Sequence, residues 1–395
     1  MTGQNIRVAR SNKRHALYIL TVALLLTLVF SGSISPFTFV QTVKGGQIAL
    51  SGPLTVRWQY NSDQTINLTP ATAGERVYLP LAAGTIVSLR STDGQMFWKT
   101  EIGGEVSVSP VADERAVYIG SETIIPPSRE PRATGALRAL GREGGITLWM
   151  RTFHRPLSGT LVMNSATLFG GTTDGRVFAI EKTTGRFLWV MQHWQPFNSH
   201  PSLSGSTLYI GCDDGNLFAL NQSTGATLWH YRTRGAVRGR AVEVDGVVYF
   251  GSADGYVYAL NAADGRLRWR TRTGAGVQVV ADAGGGGLIV ASLDNFVYKL
   301  SSAKGDRLWK RQLAGRVASE PLLAADGALF TPLSGDAGVV LDLRDGKQLN
   351  TLPVGEDNNT AASPVAVGGV LLVTTRHGLI AFSRPDTSIQ SRRKD

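Results

Sequence analysis

The sequence predicts an all-β fold: an eight-bladed β-propeller of four-stranded antiparallel blades, closed by an N-terminal strand and preceded by an N-terminal membrane segment. Three observations predict it. Short alternating apolar runs separated by Gly turns return at a near-constant period, the mark of an array with several strands per unit. Tryptophans mark that period. Trp58, Trp98, Trp149, Trp189, Trp229, Trp269 and Trp309 are spaced 40, 51, 40, 40, 40 and 40. Finally, the last repeat stops one strand short, while Trp58 stands in a fourth strand with no partner before it.

Residues 1–40 read as a membrane anchor or signal segment. Arg7, Arg10, Lys13 and Arg14 precede an apolar run from Ala16 to Phe30, with no acid among them. Basic residues ahead of the run keep the N-terminus in the cytoplasm and put the rest of the chain outside. Two fates stay open. Ser31-Gly32-Ser33 offers small residues for cleavage and release, whereas apolar character resumes through Val40, long enough for residues 16–40 to remain a membrane anchor. Residues 41–53 read as a linker and 54–383 as the propeller. Residues 384–395 read as a polar, disordered tail.

The repeat is plainest from Tyr209 to Trp229. Asp214-Gly215 and Thr224-Gly225 are turn signals, because Gly supplies the positive φ that tight hairpins need. Each unit gives four strands: a short first strand, a Leu-Tyr-x-Gly type, a Phe-Ala-Leu type and a Leu-x-Trp type. The long gap holds a Pro-rich insertion, Glu122 to Thr134, read as a loop. Asn350 falls where the next Trp is due. The strand around Trp58 completes the last blade and removes the exposed edges of an open sheet.

Ala219 to Trp229 resembles the tryptophan-docking motif of the pyrroloquinoline-quinone (PQQ) type propellers. Ala179 to Trp189 and Ala259 to Trp269 match it closely; Ser88 to Trp98, Ala139 to Trp149 and Lys299 to Trp309 match in part. The resemblance covers residues 54–383. It implies that the seven periodic tryptophans dock blade on blade. The family holds quinoprotein dehydrogenases and non-catalytic propellers such as the scaffold lipoprotein of the bacterial outer-membrane protein assembly machine. The dehydrogenases are expected to carry a vicinal Cys pair, a Ca²⁺ site of Glu, Asn and Asp, and a catalytic Asp on large loops. Cys212 is the only cysteine, so a Cys pair is impossible, and no Cys near the N-terminal segment could make a lipoprotein signal. No catalytic residue is carried over. No cofactor is expected; PQQ stays open without site residues to support it.

Charge narrows the partner class. Of the net +10, the N-terminal region supplies +4, and the remaining 36 basic and 30 acidic residues leave +6. That surplus does not call for nucleic acid, and an extracytoplasmic address argues against it. Cys212 reads as a small buried hydrophobe, the six histidines show no metal-ligand spacing, and Asp174, Asp214 and Asp254 read as turn residues.

Three places are candidates for binding. First strands should line a central channel, and its charged sector is His200, Arg238, Arg240 and Glu320, with Asn198 beside it. Arg238 and Arg240 could together grip a carboxylate or phosphate, with Glu320 as counter-charge. The plain alternative is a solvated lining. The second is a basic edge on outer strands, Arg266, Arg268, Arg270 and Arg272 with Lys310 and Arg311. It is either edge protection or a docking surface. The third is the insertion, where Ile124 and Ile125 could meet a protein or cap the channel.

These readings converge on a membrane-anchored, monomeric, non-catalytic propeller. It would scaffold a protein partner in the cell envelope, as in outer-membrane protein assembly. The alternative is a dehydrogenase or sensor binding a quinone or another small anion in the channel.

Overall fold

Asp214 and Gly215 close the hairpin from which a repeat is built. Gly215 takes φ +91°, and Asp214 Oδ1 accepts the backbone N–H of Asn216 at 3.0 Å. The flanking runs, Thr207–Gly211 and Asn216–Asn221, then pair antiparallel with Tyr209 opposite Ala219. Thr227–Arg232 adds to the far side, with Trp229 opposite Ala219, and Ser202–Ser204 adds to the near side. Leu208, Tyr209, Leu217, Phe218 and Leu220 are buried, because the middle strands have another sheet on each face. That is why they read as apolar runs rather than as strict alternation.

The computed structural model describes residues 48–125, 132–355 and 360–385. Among them are 32 strands and no helix. Six sheets are four-stranded antiparallel meanders. A seventh has eight strands, two such meanders joined by one parallel pairing, Thr160 with Ser109. The fold is therefore all-β, in the antiparallel four-stranded sheets expected of a propeller.

Neighbouring units share their cores. Tyr209, Leu217, Ala219 and Trp229 of one unit pack with Val248, Phe250 and Tyr258 of the next. At this joint Trp229 Nε1 donates to Ala262 O at 2.8 Å. The ring lies against Gly265, where a Cβ would come within 2.7 Å of Trp229 Cε3. Gly265 also holds φ +70°, so the turn and the ring both demand glycine there. Trp58, Trp98, Trp149, Trp189, Trp269 and Trp309 donate in the same way to carbonyls 33, 44, 33, 33, 33 and 34 residues on.

Thr55–Asn61 pairs antiparallel with Gly378–Ser383, placing Trp58 opposite Ala381 as the outer strand of the sheet that also holds Val365–Val367 and Val370–Thr375. The chain ahead of that strand departs from its reading as a linker. Ile48 and Leu50 are buried among Leu329, Val340, Leu352 and Leu371. Asn350 Nδ2 donates to Leu50 O at 3.0 Å and to Gly52 O at 2.8 Å. Asp326 accepts from the N–H groups of Leu50 and Ser51 and from Ser51 Oγ. Two apolar side chains spaced by two residues are enough to seat this short run in the core. The expected membrane segment, residues 1–40, lies outside the described residues, as do 41–47, 126–131 and most of the tail. Among the described residues no helix is long and apolar enough to cross a membrane.

Candidate functional site

The residues of the charged sector sit just before the short first strands, not within them. Asn198 and His200 precede Ser202–Ser204, Arg238 and Arg240 precede Val242–Val244, and Glu320 precedes Leu322–Ala324. Inner hydroxyls tie successive units together there. Ser363 Oγ accepts the N–H of Glu320 at 3.0 Å, Thr69 Oγ1 that of Ser363 at 2.9 Å, and Ser109 Oγ that of Thr69 at 3.1 Å. These groups satisfy backbone donors that strand pairing leaves over.

The charged sector assembles, but not as a double-arginine grip. Arg240 Nε lies 3.0 Å from Glu320 Oε1, and His200 Nδ1 lies 3.7 Å from the same oxygen. Burial alone would raise the Glu320 carboxyl. The charge of Arg240, then His200, outweighs it and holds the group at about 2. Arg238 turns elsewhere, its Nε 2.9 Å from Asp213 Oδ1 and its Nη2 3.3 Å from Oδ2, while Asn198 Nδ2 donates to Asp213 Oδ2 at 2.7 Å. Glu320 is thus the counter-charge of Arg240 but not of Arg238. Each guanidinium has a carboxylate of its own, Asp213 for Arg238 and Glu320 for Arg240. Asp213 was missed because it stands beside a turn aspartate. Its signal lay in the repeat, where the aligned positions are Thr173, Ala253 and Leu293.

The basic edge is where the sequence put it. Arg266, Arg268, Arg270 and Arg272 are all exposed on or beside Leu267–Arg272. They are partly engaged at home. Arg270 lies over the Tyr256 ring at 5.0 Å, Arg268 donates to Asn261, and on the next unit Lys310 lies 3.6 Å over Phe296. Ile124 and Ile125 end the strand Ala116–Ile125 and pair with Ala133 and Arg132 of Arg132–Gly141. The ends of the expected loop are therefore a long hairpin, and its tip lies outside the described residues.

An apolar edge went unread. On Thr147–Phe153 and just before it, Ile146 is 74% exposed, and Leu148 and Met150 are exposed with it. On the neighbouring Phe187–Gln192, Val190 is 50% exposed beside Phe187 and Leu188. Phe187 meets Phe153 edge-on at 5.7 Å, and a cleft between the two strands is lined by Phe153, His154, Arg176, Phe178, Phe187 and Val190. Trp194, the one tryptophan outside the period, follows on the next loop and is 69% exposed. The signal was present in the residues flanking each periodic Trp: Leu148 and Met150, Leu188 and Val190, against Arg268 and Arg270.

Comparison with known proteins matches residues 133–238 and 233–394 to a family model described as outer membrane protein assembly factor BamB. A search of curated proteins found no match. Solved structures resemble the chain in fold. BamB from Moraxella catarrhalis is 17% identical with a TM-score of 0.67, covering 85% of this chain and 99% of that one. A computationally designed protein, Ika8, is 14% identical with a TM-score of 0.71, covering 83% and 99%. A europium-containing methanol dehydrogenase is 12% identical with a TM-score of 0.69, covering 84% and 93%. At such identities the likeness speaks for the fold alone, and the dehydrogenases among the neighbours leave a cofactor open.

Proposed function

The chain belongs to the PQQ-like β-propeller repeat family of the outer membrane protein assembly factor BamB, and from that premise we propose that it is a non-catalytic scaffold that binds another protein of the cell envelope. We read the eight runs of four strands as eight blades of one ring, with the periodic tryptophans docking blade on blade. Residues 16–40 hold the propeller to the inner membrane or are cleaved from it, on the periplasmic side in either case.

One observation carries the reading: the apolar side chains of two adjacent outer strands, Ile146, Leu148, Met150, Phe187, Leu188 and Val190, stand in solvent. Large apolar side chains exposed on outer strands, where another unit carries Arg268 and Arg270, favour an interface. The inner charges point the same way, because Arg238 and Arg240 are each neutralised by a carboxylate. A protein partner therefore fits the molecule better than a small anion in the channel. The basic strand Leu267–Arg272, with Arg268, Arg270 and Arg272, is then protection of an outer edge.

A photo-crosslinking residue at Val190, and another at Arg270, tests this in native membranes. The scaffold reading expects one dominant protein adduct at Val190, lost in L188E/V190E, and little at Arg270. Stoichiometric binding of PQQ with Ca²⁺, together with dye-linked alcohol oxidation, would sink it in favour of a dehydrogenase.

A further inference from the structure

His193, Cys212 and Asp214 are far from a metal motif in sequence, yet the fold gathers them. Cys212 follows the strand Thr207–Gly211, Asp214 sits in the turn after it, and His193 comes from the end of the preceding unit. The thiol, one imidazole nitrogen and one carboxylate oxygen all lie within 4.8 Å of one another. His193 Nε2 is 2.9 Å from Asp214 Oδ2.

The repeats supply an internal control. At the next joint the aligned residues are Thr233, Ser252 and Asp254, and at the one after, Thr273, Ser292 and Asp294. There a pair of hydroxyls does the structural work. Thr233 Oγ1 lies 3.0 Å from Ser252 Oγ, and Ser252 Oγ donates to Gly235 O at 3.1 Å. The turn aspartates are bound by tyrosines, Tyr258 to Asp254 and Tyr298 to Asp294. The fold therefore needs neither a thiol nor an imidazole at these places. At this joint both hydroxyls are replaced by metal ligands, and the tyrosine is replaced by Phe218. The aspartate is thereby left to His193 and Asn216.

A second observation comes from Asn216. Its Nδ2 donates to Asp214 Oδ2 at 2.7 Å, while its Oδ1 is buried and has no hydrogen-bond partner. A buried orphan acceptor beside three ligand side chains calls for a bound species. The surroundings suit an ion. Phe197 and Phe218 are buried, their rings 5.9 and 5.2 Å from the His193 ring, and Trp194 flanks its outer side.

We propose that His193 Nε2, Cys212 Sγ and an Asp214 carboxylate oxygen form a binding site for a borderline-soft divalent cation, zinc by ligand type. One sulfur, one nitrogen and one oxygen suit tetrahedral Zn²⁺, whose bonds to such donors are about 2.0–2.3 Å, with a water or Asn216 Oδ1 in the fourth place. In the metal-free protein burial pushes the Cys212 thiol up to about 12, and the group sits 3.4 Å from Pro196 O. Binding therefore releases the thiol proton. The site stands apart from the scaffold reading, and neither depends on the other.

The test is titration of the metal-free full-length protein with Zn²⁺ by calorimetry, and with Co²⁺ by absorption. One ion per chain, a raised Tm and a thiolate-to-cobalt charge-transfer band are expected. C212S and H193T place at this joint the residues that its sister joints carry, so both variants keep the fold, which melting of the metal-free forms checks. Each should lose about a hundredfold or more in zinc affinity, since disturbing even the outer partners of ligands costs about ten- to a hundredfold. C212S should also lose the charge-transfer band. No saturable binding up to about 1 mM metal, or wild-type affinity in C212S, would overturn the site.

Discussion

Among the described residues, seven periodic tryptophans each bond a carbonyl of the unit that follows, and at the aligned place in Gln348–Pro353 stands Asn350. At the Trp229 joint the ring is buried against Gly265 and bonds Ala262, 33 residues away. The joint is local and mostly apolar. At the Asn350 joint the side chain is small and polar, and it bonds Leu50 and Gly52, 300 and 298 residues away. Leu50 supplies the apolar bulk that Asn350 lacks, and it is fully buried. The difference teaches how a repeat array can close on itself. A docking ring serves where one repeat follows another in sequence. Where the two ends of the chain meet, a segment from outside the array fills the place, and the aligned residue becomes its clasp.

The comparison is sharpest if the two kinds of joint fail differently. Trp229→Ala removes a large buried ring and its hydrogen bond, so it should cost about 3–5 kcal/mol, the largest effect expected here. Urea unfolding would read it as a lowered midpoint. Leu50→Ala should cost about 2–4 kcal/mol, because it opens a cavity under the last closed sheet. Its signature is spatial. Hydrogen exchange should speed up at Gln348–Pro353 and Val370–Thr375, which lie far along the chain from residue 50, and not at Thr227–Arg232. If Leu50→Ala costs less than about 0.5 kcal/mol, as surface changes do, the N-terminal run is a passenger and the comparison breaks.

The repeat was legible because its signals are local. Turn glycines, alternating apolar runs and tryptophans at one period report on residues within a single unit. The closing strand was legible too, as arithmetic: one strand missing at the end and one surplus at the start. What failed were contacts between units. Asp213 reaches Arg238 of the next unit, and His193 reaches Cys212 and Asp214 across a joint. Spacing along the chain says nothing about such pairs until repeats are aligned and the odd residue at each position is picked out. The run around Leu50 failed for another reason. Two apolar residues among Gly, Gln and Ser carry no periodicity, and their burial is decided by the hole that Asn350 leaves.

The smallest effect tests the clasp itself. Burial alone would raise the Asp326 carboxyl, but the hydroxyl and N–H of Ser51, then the N–H of Leu50, outweigh burial and lower it. A carboxyl whose folded-state value lies below its unfolded value, about 3.9, stabilises the protein above that pH. The contribution fades as pH falls through the folded value. Asp326→Asn keeps one acceptor oxygen, so its cost at neutral pH should be about 1 kcal/mol or less. It should also flatten the acid limb, with wild type and variant converging in Tm below pH 4. Convergence in the D326N comparison but not in a Leu50→Ala comparison would separate the polar half of the clasp from its apolar half. Parallel acid limbs for wild type and D326N would mean that Ser51 and Leu50 are held by packing alone.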